Sequence, residues 1–217
     1  MGVEIGDIGT DHLWIRGCTT LRDVEFTIPS DRIVAGTWLL AGAATRGFLV
    51  LENAPVKEMR AILELYEKMG GQWEFIGGKL YTDSKQIHNP VHDVKTDCYP
   101  GFPTDLQSIL LPVLLTIPGK SSIVETIFEH RFQIAQQLTL LGGKIYLKDQ
   151  LAIVEGTGRL KGTSVEAFEL RGCAGLLVAA LCADGVTHIH GADYLYRGYE
   201  EPERRLQEVG GIVIRQE

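Results

Sequence analysis

Cysteine is scarce in this chain, and its four thiols, Cys18, Cys98, Cys173 and Cys182, form neither a Cys-x-x-Cys pair nor the spaced pattern of a disulfide framework. Cys173 and Cys182 lie inside an apolar run, and reduced, mostly buried thiols are expected. Positive charge is also in short supply: 21 Lys and Arg stand against 28 Asp and Glu, a net charge of −7. A phosphate backbone demands clustered cations, so this balance excludes a general nucleic-acid binder and means that any anionic ligand must meet a local arginine cluster. No apolar run reaches the roughly 18 to 20 residues that span a bilayer, and the N-terminus lacks the basic and apolar regions of a signal peptide. No membrane partner and a cytoplasmic location are the expectations. Of the six histidines only His188 and His190 share a strand face, without a third ligand nearby, so neither a metal site nor a cofactor is predicted.

What is present is an ordinary globular composition, 45% hydrophobic and 23% charged over 217 residues, long enough for a sizeable core. It is written as one unit repeated at about 70 residues. Met69-Gly70-Gly71, Leu141-Gly142-Gly143 and Val209-Gly210-Gly211 each end an amphipathic helix, with glycine where a left-handed C-cap is needed, and each precedes a β-type run. In the first of these helices Met59, Ile62, Leu63, Tyr66 and Met69 share one face. Earlier in each unit lies a helix apolar on nearly every side, over 34–45, 106–116 and 170–183, and such a helix is buried all round. Small residues, among them Gly36, Gly42, Gly172 and Gly175, permit close approach between these helices.

Strands are predicted between the two helices of each unit, over 48–52, 122–126 and 186–190. Hairpins follow the Gly-Gly pairs, over 73–76 with 79–82 and over 145–147 with 151–155. The unit reads β, buried helix, β, outer helix, β, β. The fold class is therefore α/β (α+β): a pseudo-threefold α/β prism, or inside-out α/β barrel, of three such repeats around three inner helices. A doubly wound sheet is disfavoured, because its strands would be buried and its helices uniformly amphipathic. The chain opens out of step, with residues 1–17 reading as a hairpin that continues from a missing upstream domain, and residues 18–217 as a single three-repeat domain.

The stretch that invites chemistry is Tyr99-Pro100-Gly101-Phe102-Pro103-Thr104-Asp105, a stiff two-proline loop that delivers a carboxylate to the start of an inner helix. Two readings of Asp105 stand open here: a helix N-cap, or a base. The corresponding junctions hold Ser30-Asp31-Arg32 and Glu169-Leu170-Arg171, and pseudo-symmetry gathers all three helix N-termini at one end. Junctions into the outer helices add Glu129-His130-Arg131 and Tyr196-Arg197-Gly198-Tyr199-Glu200. Each arginine either pairs with a neighbouring acid such as Glu129, Glu169 or Glu200, or joins an anion clamp.

Five runs carry a family resemblance: Pro29-Ser30-Asp31-Arg32-Ile33 with Gly36-Thr37; Pro100 through Gln107; Glu125-Thr126-Ile127-Phe128-Glu129-His130-Arg131-Phe132; Leu170-Arg171; and Arg197-Gly198-Tyr199-Glu200. On these the chain resembles the enolpyruvyl transferases over nearly its whole length, most closely the branch that acts on UDP-N-acetylglucosamine in peptidoglycan synthesis. The resemblance implies that Asp105 contacts the sugar 3-hydroxyl and serves as base, and that Ile127 lines the UDP-sugar pocket. It implies that Arg131, Arg171 and Arg197 surround phosphoenolpyruvate and the leaving phosphate, and that Asp31 and Arg32 form a pair near the domain junction. The partners it implies are phosphoenolpyruvate, UDP-N-acetylglucosamine and a missing N-terminal domain that supplies a cysteine acid, so the isolated chain is expected to be inactive. A shikimate-pathway relative, 5-enolpyruvylshikimate-3-phosphate synthase, and a non-catalytic paralogue of the same fold are the alternatives. His130, Tyr196 and Gly172-Cys173 stand where the family usually has Asn, Asp and Ala-Ser.

Overall fold

The computed structural model describes residues 1–216. The chain opens with an antiparallel hairpin, β1 (Glu4–Gly6) and β2 (Trp14–Arg16), in which Ile5 faces Ile15, followed by exposed residues without regular structure up to residue 31. The first unit then runs α1 (Arg32–Thr45), β3 (Phe48–Glu52), α2 (Arg60–Met69), β4 (Gln72–Ile76) and β5 (Lys79–Asp83). The second is β6 (Val94–Lys95), α3 (Gln107–Leu115), β7 (Gly119–Val124), α4 (Ile134–Leu140), β8 (Lys144–Lys148) and β9 (Leu151–Gly156). The third comprises β10 (Leu160–Lys161), β11 (Ser164–Glu166), α5 (Leu170–Leu181), β12 (Ala183–Asp184), β13 (His188–His190) and α6 (Pro202–Glu208).

The apolar helices do what their composition requires: α1, α3 and α5 each pack against the other two, and every residue of α3 is buried. Small residues set the spacing. A Cβ on Gly175 of α5 would lie 2.5 Å from the Ser108 carbonyl oxygen of α3 and 2.5 Å from Ile134 Cδ1. Pro112, inside α3, has no N–H to give Ser108 in the usual i to i−4 bond, so that carbonyl is free where the α5 backbone comes closest.

The sheets lie outside these helices. In the first unit the order is β3-β5-β4, all antiparallel; in the second it is β6-β7-β9-β8, with β6 parallel to β7 and the remaining pairs antiparallel. Inward residues of the central strands, Leu80 of β5 and Ala152 and Val154 of β9, are fully buried. The Gly-Gly signals hold as helix stops, since Gly70, Gly142 and Gly210 all have φ between 89° and 106°, the left-handed region that only glycine enters without strain.

Two expectations change in the third unit. The strand expected over 186–190 shortens to β13, and a separate β12 forms just before that range; they pair in parallel with β11 and β10, respectively, as separate two-stranded sheets. No strand follows Gly210-Gly211 among the described residues: Ile212 is 94% exposed. A β-type sequence becomes a strand only where a neighbour accepts its ladder, and none lies beside residues 212–216.

Candidate functional site

Three helix starts converge at one end of the molecule. Asp31 caps α1, its Oδ1 accepting from the Ile33 and Val34 amides at 2.6 and 3.4 Å, and Glu169 caps α5, accepting from Arg171 N at 2.7 Å and from Gly172 N. The third start differs. The chain enters α3 through a 3-10 turn, Thr104–Leu106, with Pro103 at its cap position and no side chain bonded to the first amides. Asp105 therefore caps nothing, which removes the cap reading and leaves its carboxylate free for other partners.

Those partners are two arginines. Arg131 Nη2 donates to Asp105 Oδ1 at 2.6 Å, and Arg171 Nη2 donates to Oδ2 at 3.0 Å. The pairing with Glu129 or Glu169 that sequence proximity suggests does not form; Glu169 is spent on the cap. The guanidinium side chains keep only 18% and 15% of their surface in solvent, against 36% for the carboxylate. Burial opposes the Arg171 charge, but Tyr199 and the charge and hydrogen bond of Asp105 outweigh it and hold its pKa above the ordinary value. Tyr199, whose own pKa burial raises, fixes this corner, its hydroxyl lying 2.9 Å from Thr37 Oγ1 of α1. Two buried donors of these forks, Arg131 Nε and Arg171 Nη1, have no partner among the described residues. Buried N–H groups of charged forks are costly to leave unmade, and an arriving anion would satisfy them.

Asp105 also lines a cavity of about 290 Å³ together with Arg32, Asp97, Tyr99, Thr104 and Ile127. Arg32 lies over the Tyr99 ring, 5.8 Å from its centroid, and Arg131 over Phe128 at 5.0 Å. The structure thus brings together Asp105, Arg131 and Arg171 as one ion cluster, with Arg32 and Ile127 on the adjoining cavity wall. It does not bring in the other two predicted residues. Arg197 ends the 3-10 turn Ala192–Arg197, exposed and in no ion pair among the described residues, although the next residue, Gly198, packs beside Arg171. Asp31 lines a separate groove of about 710 Å³ between α1, α5 and α6 and is occupied as a cap. Sequence reasoning missed Cys98, which lines the Asp105 cavity, and Glu125, which is wholly buried beneath it. For Glu125 a signal existed: an acid closing the apolar run Ile123-Val124.

The profile of the EPSP synthase (3-phosphoshikimate 1-carboxyvinyltransferase) family matches residues 1–206. A UDP-N-acetylglucosamine 1-carboxyvinyltransferase of Desulfofundulus thermocisternus is 38% identical over 216 residues, covering 99% of this chain and 88% of that protein. The enzymes of the same name from Thermotoga maritima and Thermus thermophilus are 37% and 38% identical over 98% of the chain, which spans 50% of each. Apart from the first, the chain spans about half the length of the curated relatives it matches. Among solved structures, the enolpyruvyl transferase NikO from Streptomyces tendae superposes with a TM-score of 0.82 at 25% identity, over 97% of this chain and 51% of that one. An EPSP synthase from Acinetobacter baumannii shares the fold, with a TM-score of 0.74 at 18% identity over 99% of this chain and 53% of that one. On a family profile that covers nearly the whole chain and a relative matched over most of its own length, the chain belongs to the EPSP synthase family of enolpyruvyl transferases.

Proposed function

We propose that this chain is the base-carrying half of an enzyme that moves the enolpyruvyl group of phosphoenolpyruvate to the 3-hydroxyl of UDP-N-acetylglucosamine. The observation that carries the reading is the Asp105 carboxylate at the cavity wall, held by two arginines with unspent buried donors. Asp105 accepts the hydroxyl proton as the sugar oxygen attacks C2 of phosphoenolpyruvate and an acid from the other half protonates C3; the tetrahedral intermediate then gives up one C3 proton to a base as phosphate leaves C2, which restores the carbon–carbon double bond. Arg131 and Arg171 have a double task. Without ligand they neutralise Asp105; when phosphate and carboxylate oxygens arrive, the forks turn to them and release the carboxylate to the sugar hydroxyl. Arg32 and Arg197 border this end and add to its positive potential.

The architecture that serves this site is, in the same reading, a pseudo-threefold prism with inner helices α1, α3 and α5. The hairpin β1–β2 belongs to an upstream three-repeat domain that closes the cleft and brings the acid. The isolated chain then binds anions weakly and turns nothing over, because an open cleft admits water that weakens every charge interaction. A shikimate-type substrate is disfavoured by the relatives at 36–39% identity, which carry the UDP-sugar name. The test is phosphate release from phosphoenolpyruvate with either UDP-N-acetylglucosamine or shikimate 3-phosphate, using this chain with and without a separately expressed N-terminal half. The reading expects release only from the two halves together and only with the UDP-sugar. Turnover by this chain alone, or with shikimate 3-phosphate, would overturn it.

A further inference from the structure

We infer that Glu125 is a positioning residue of this site, acting through Thr104 and through the backbone of Ile127 and Phe128. It is completely buried, yet no cation among the described residues pairs with it; its carboxylate is spent on four hydrogen bonds from three separate segments. Oε1 accepts from Thr96 Oγ1 at 2.9 Å, from Ile127 N at 2.8 Å and from Phe128 N at 3.1 Å; Oε2 accepts from Thr104 Oγ1 at 2.8 Å.

These segments are the two walls of the cavity. Thr104 is the residue before Asp105, and Thr96 roots the proline loop, whose tip is closed by Asp97 N donating to Phe102 O at 2.9 Å. Ile127 and Phe128 form the facing wall, and Arg131, which grips Asp105, follows three residues later. Thr96 tightens the connection further, since its Oγ1 also accepts from Thr126 N at 2.8 Å. Glu125 is therefore the only described residue whose side chain bonds both to the loop that presents Asp105 and to the wall that carries Ile127. A side chain needed merely to fill this space would be apolar, because a buried carboxylate is costly unless every lone pair is used. Here they are used to hold two loops in register. Loops that carry reacting groups need such an anchor, because an error of about 1 Å in a positioned group already costs catalysis heavily.

The inference rests on Asp105 being the functional carboxylate, and its test separates the two claims. The probes are UDP-N-acetylglucosamine binding and the NMR signals of the Arg131 and Arg171 guanidinium protons, which slow exchange reveals only while the ion pairs to Asp105 hold. Three forms of the 217-residue chain are compared, each joined by its N-terminal half for the binding measurement: wild type, Thr104→Val and Glu125→Gln. Thr104→Val removes one bond while keeping volume, so the unfolding midpoint is expected to stay within about 3 °C. Its guanidinium signals are expected to broaden or vanish, and its affinity for the UDP-sugar to fall about tenfold. Glu125→Gln restores the register, with its amide oxygen accepting from Ile127 and Phe128 and its amide nitrogen donating to Thr104, so signals and affinity return to within about threefold of wild type. Unchanged guanidinium signals in Thr104→Val, or a Glu125→Gln chain that folds yet behaves like an unanchored loop, would overturn the positioning role. If wild type fails to bind the UDP-sugar while Thr104→Val still loses the signals, the substrate reading fails and the positioning role stands.

Discussion

Replacing Asp105 by alanine should destabilise the chain and make it responsive to phosphate. The carboxylate separates two guanidinium groups that keep only 18% and 15% of their side-chain surface in solvent. Breaking a fully buried pair on one side costs about 3–5 kcal/mol, but Asp105 itself is 36% exposed and water screens part of the loss, so about 1–3 kcal/mol is expected. For a chain of this size that is a fall of about 2–12 °C in Tm. Phosphate then enters the vacated position. With a Kd of about 1 mM for the freed arginines, about 20 mM phosphate returns RT ln 21, or about 1.8 kcal/mol. In wild type, phosphate must first displace Asp105; if that weakens binding tenfold, the same addition returns only about 0.6 kcal/mol. The assay is thermal unfolding in phosphate against chloride at matched ionic strength, which removes general screening from the comparison. A variant that melts with wild type, or two proteins that phosphate shifts equally, would refute the argument that Asp105 occupies an anion site.

Other consequences can be checked separately. Arg171→Ala in the enzyme assembled from both halves is expected to lower kcat/KM by the equivalent of about 2–4 kcal/mol, and Arg171→Lys to recover little of it because the two-pronged fork is lost; kinetics within threefold of wild type would contradict this. In the folded chain at pH 7.5, iodoacetamide should label Cys18 and Cys98, which are exposed, and spare Cys173 and Cys182, whose thiols burial pushes up to about 12 and about 11. Mass spectrometry of the labelled peptides decides, and rapid labelling of Cys173 would show that the α5 packing is looser than described. Gly175→Ala places a methyl 2.5 Å from Ser108 O, and overpacking of this kind should cost about 1–3 kcal/mol in urea unfolding.

The repeating scaffold could be read from residue patterns because its signals are local. The Gly-Gly helix stops, the hairpin turn at Gly77-Gly78 and the all-round apolar character of Gln107–Leu115 each act over a few residues, and the structure has an element for each. What failed depends on neighbours that a pattern does not show. Residues 212–214, Ile-Val-Ile, read as a short β-type run, but among the described residues no ladder partner lies beside them. The site was half legible for the same reason. Asp105 stood out by its loop, but the partners that hold it, Arg131 and Arg171, lie 26 and 66 residues away in sequence. Glu125 looked like one more acid in a motif until burial showed how many segments it holds.

The most direct test of Asp105 as the proton acceptor is turnover of Asp105→Asn in the enzyme assembled from this chain and its N-terminal half, measured beside UDP-N-acetylglucosamine affinity. The amide keeps the shape and a hydrogen bond to the sugar hydroxyl but does not take its proton, so kcat is expected to fall by about 100-fold or more while the UDP-sugar binds within about threefold of wild type. A kcat within about threefold of wild type would contradict the account, and the proton acceptor would have to be sought elsewhere.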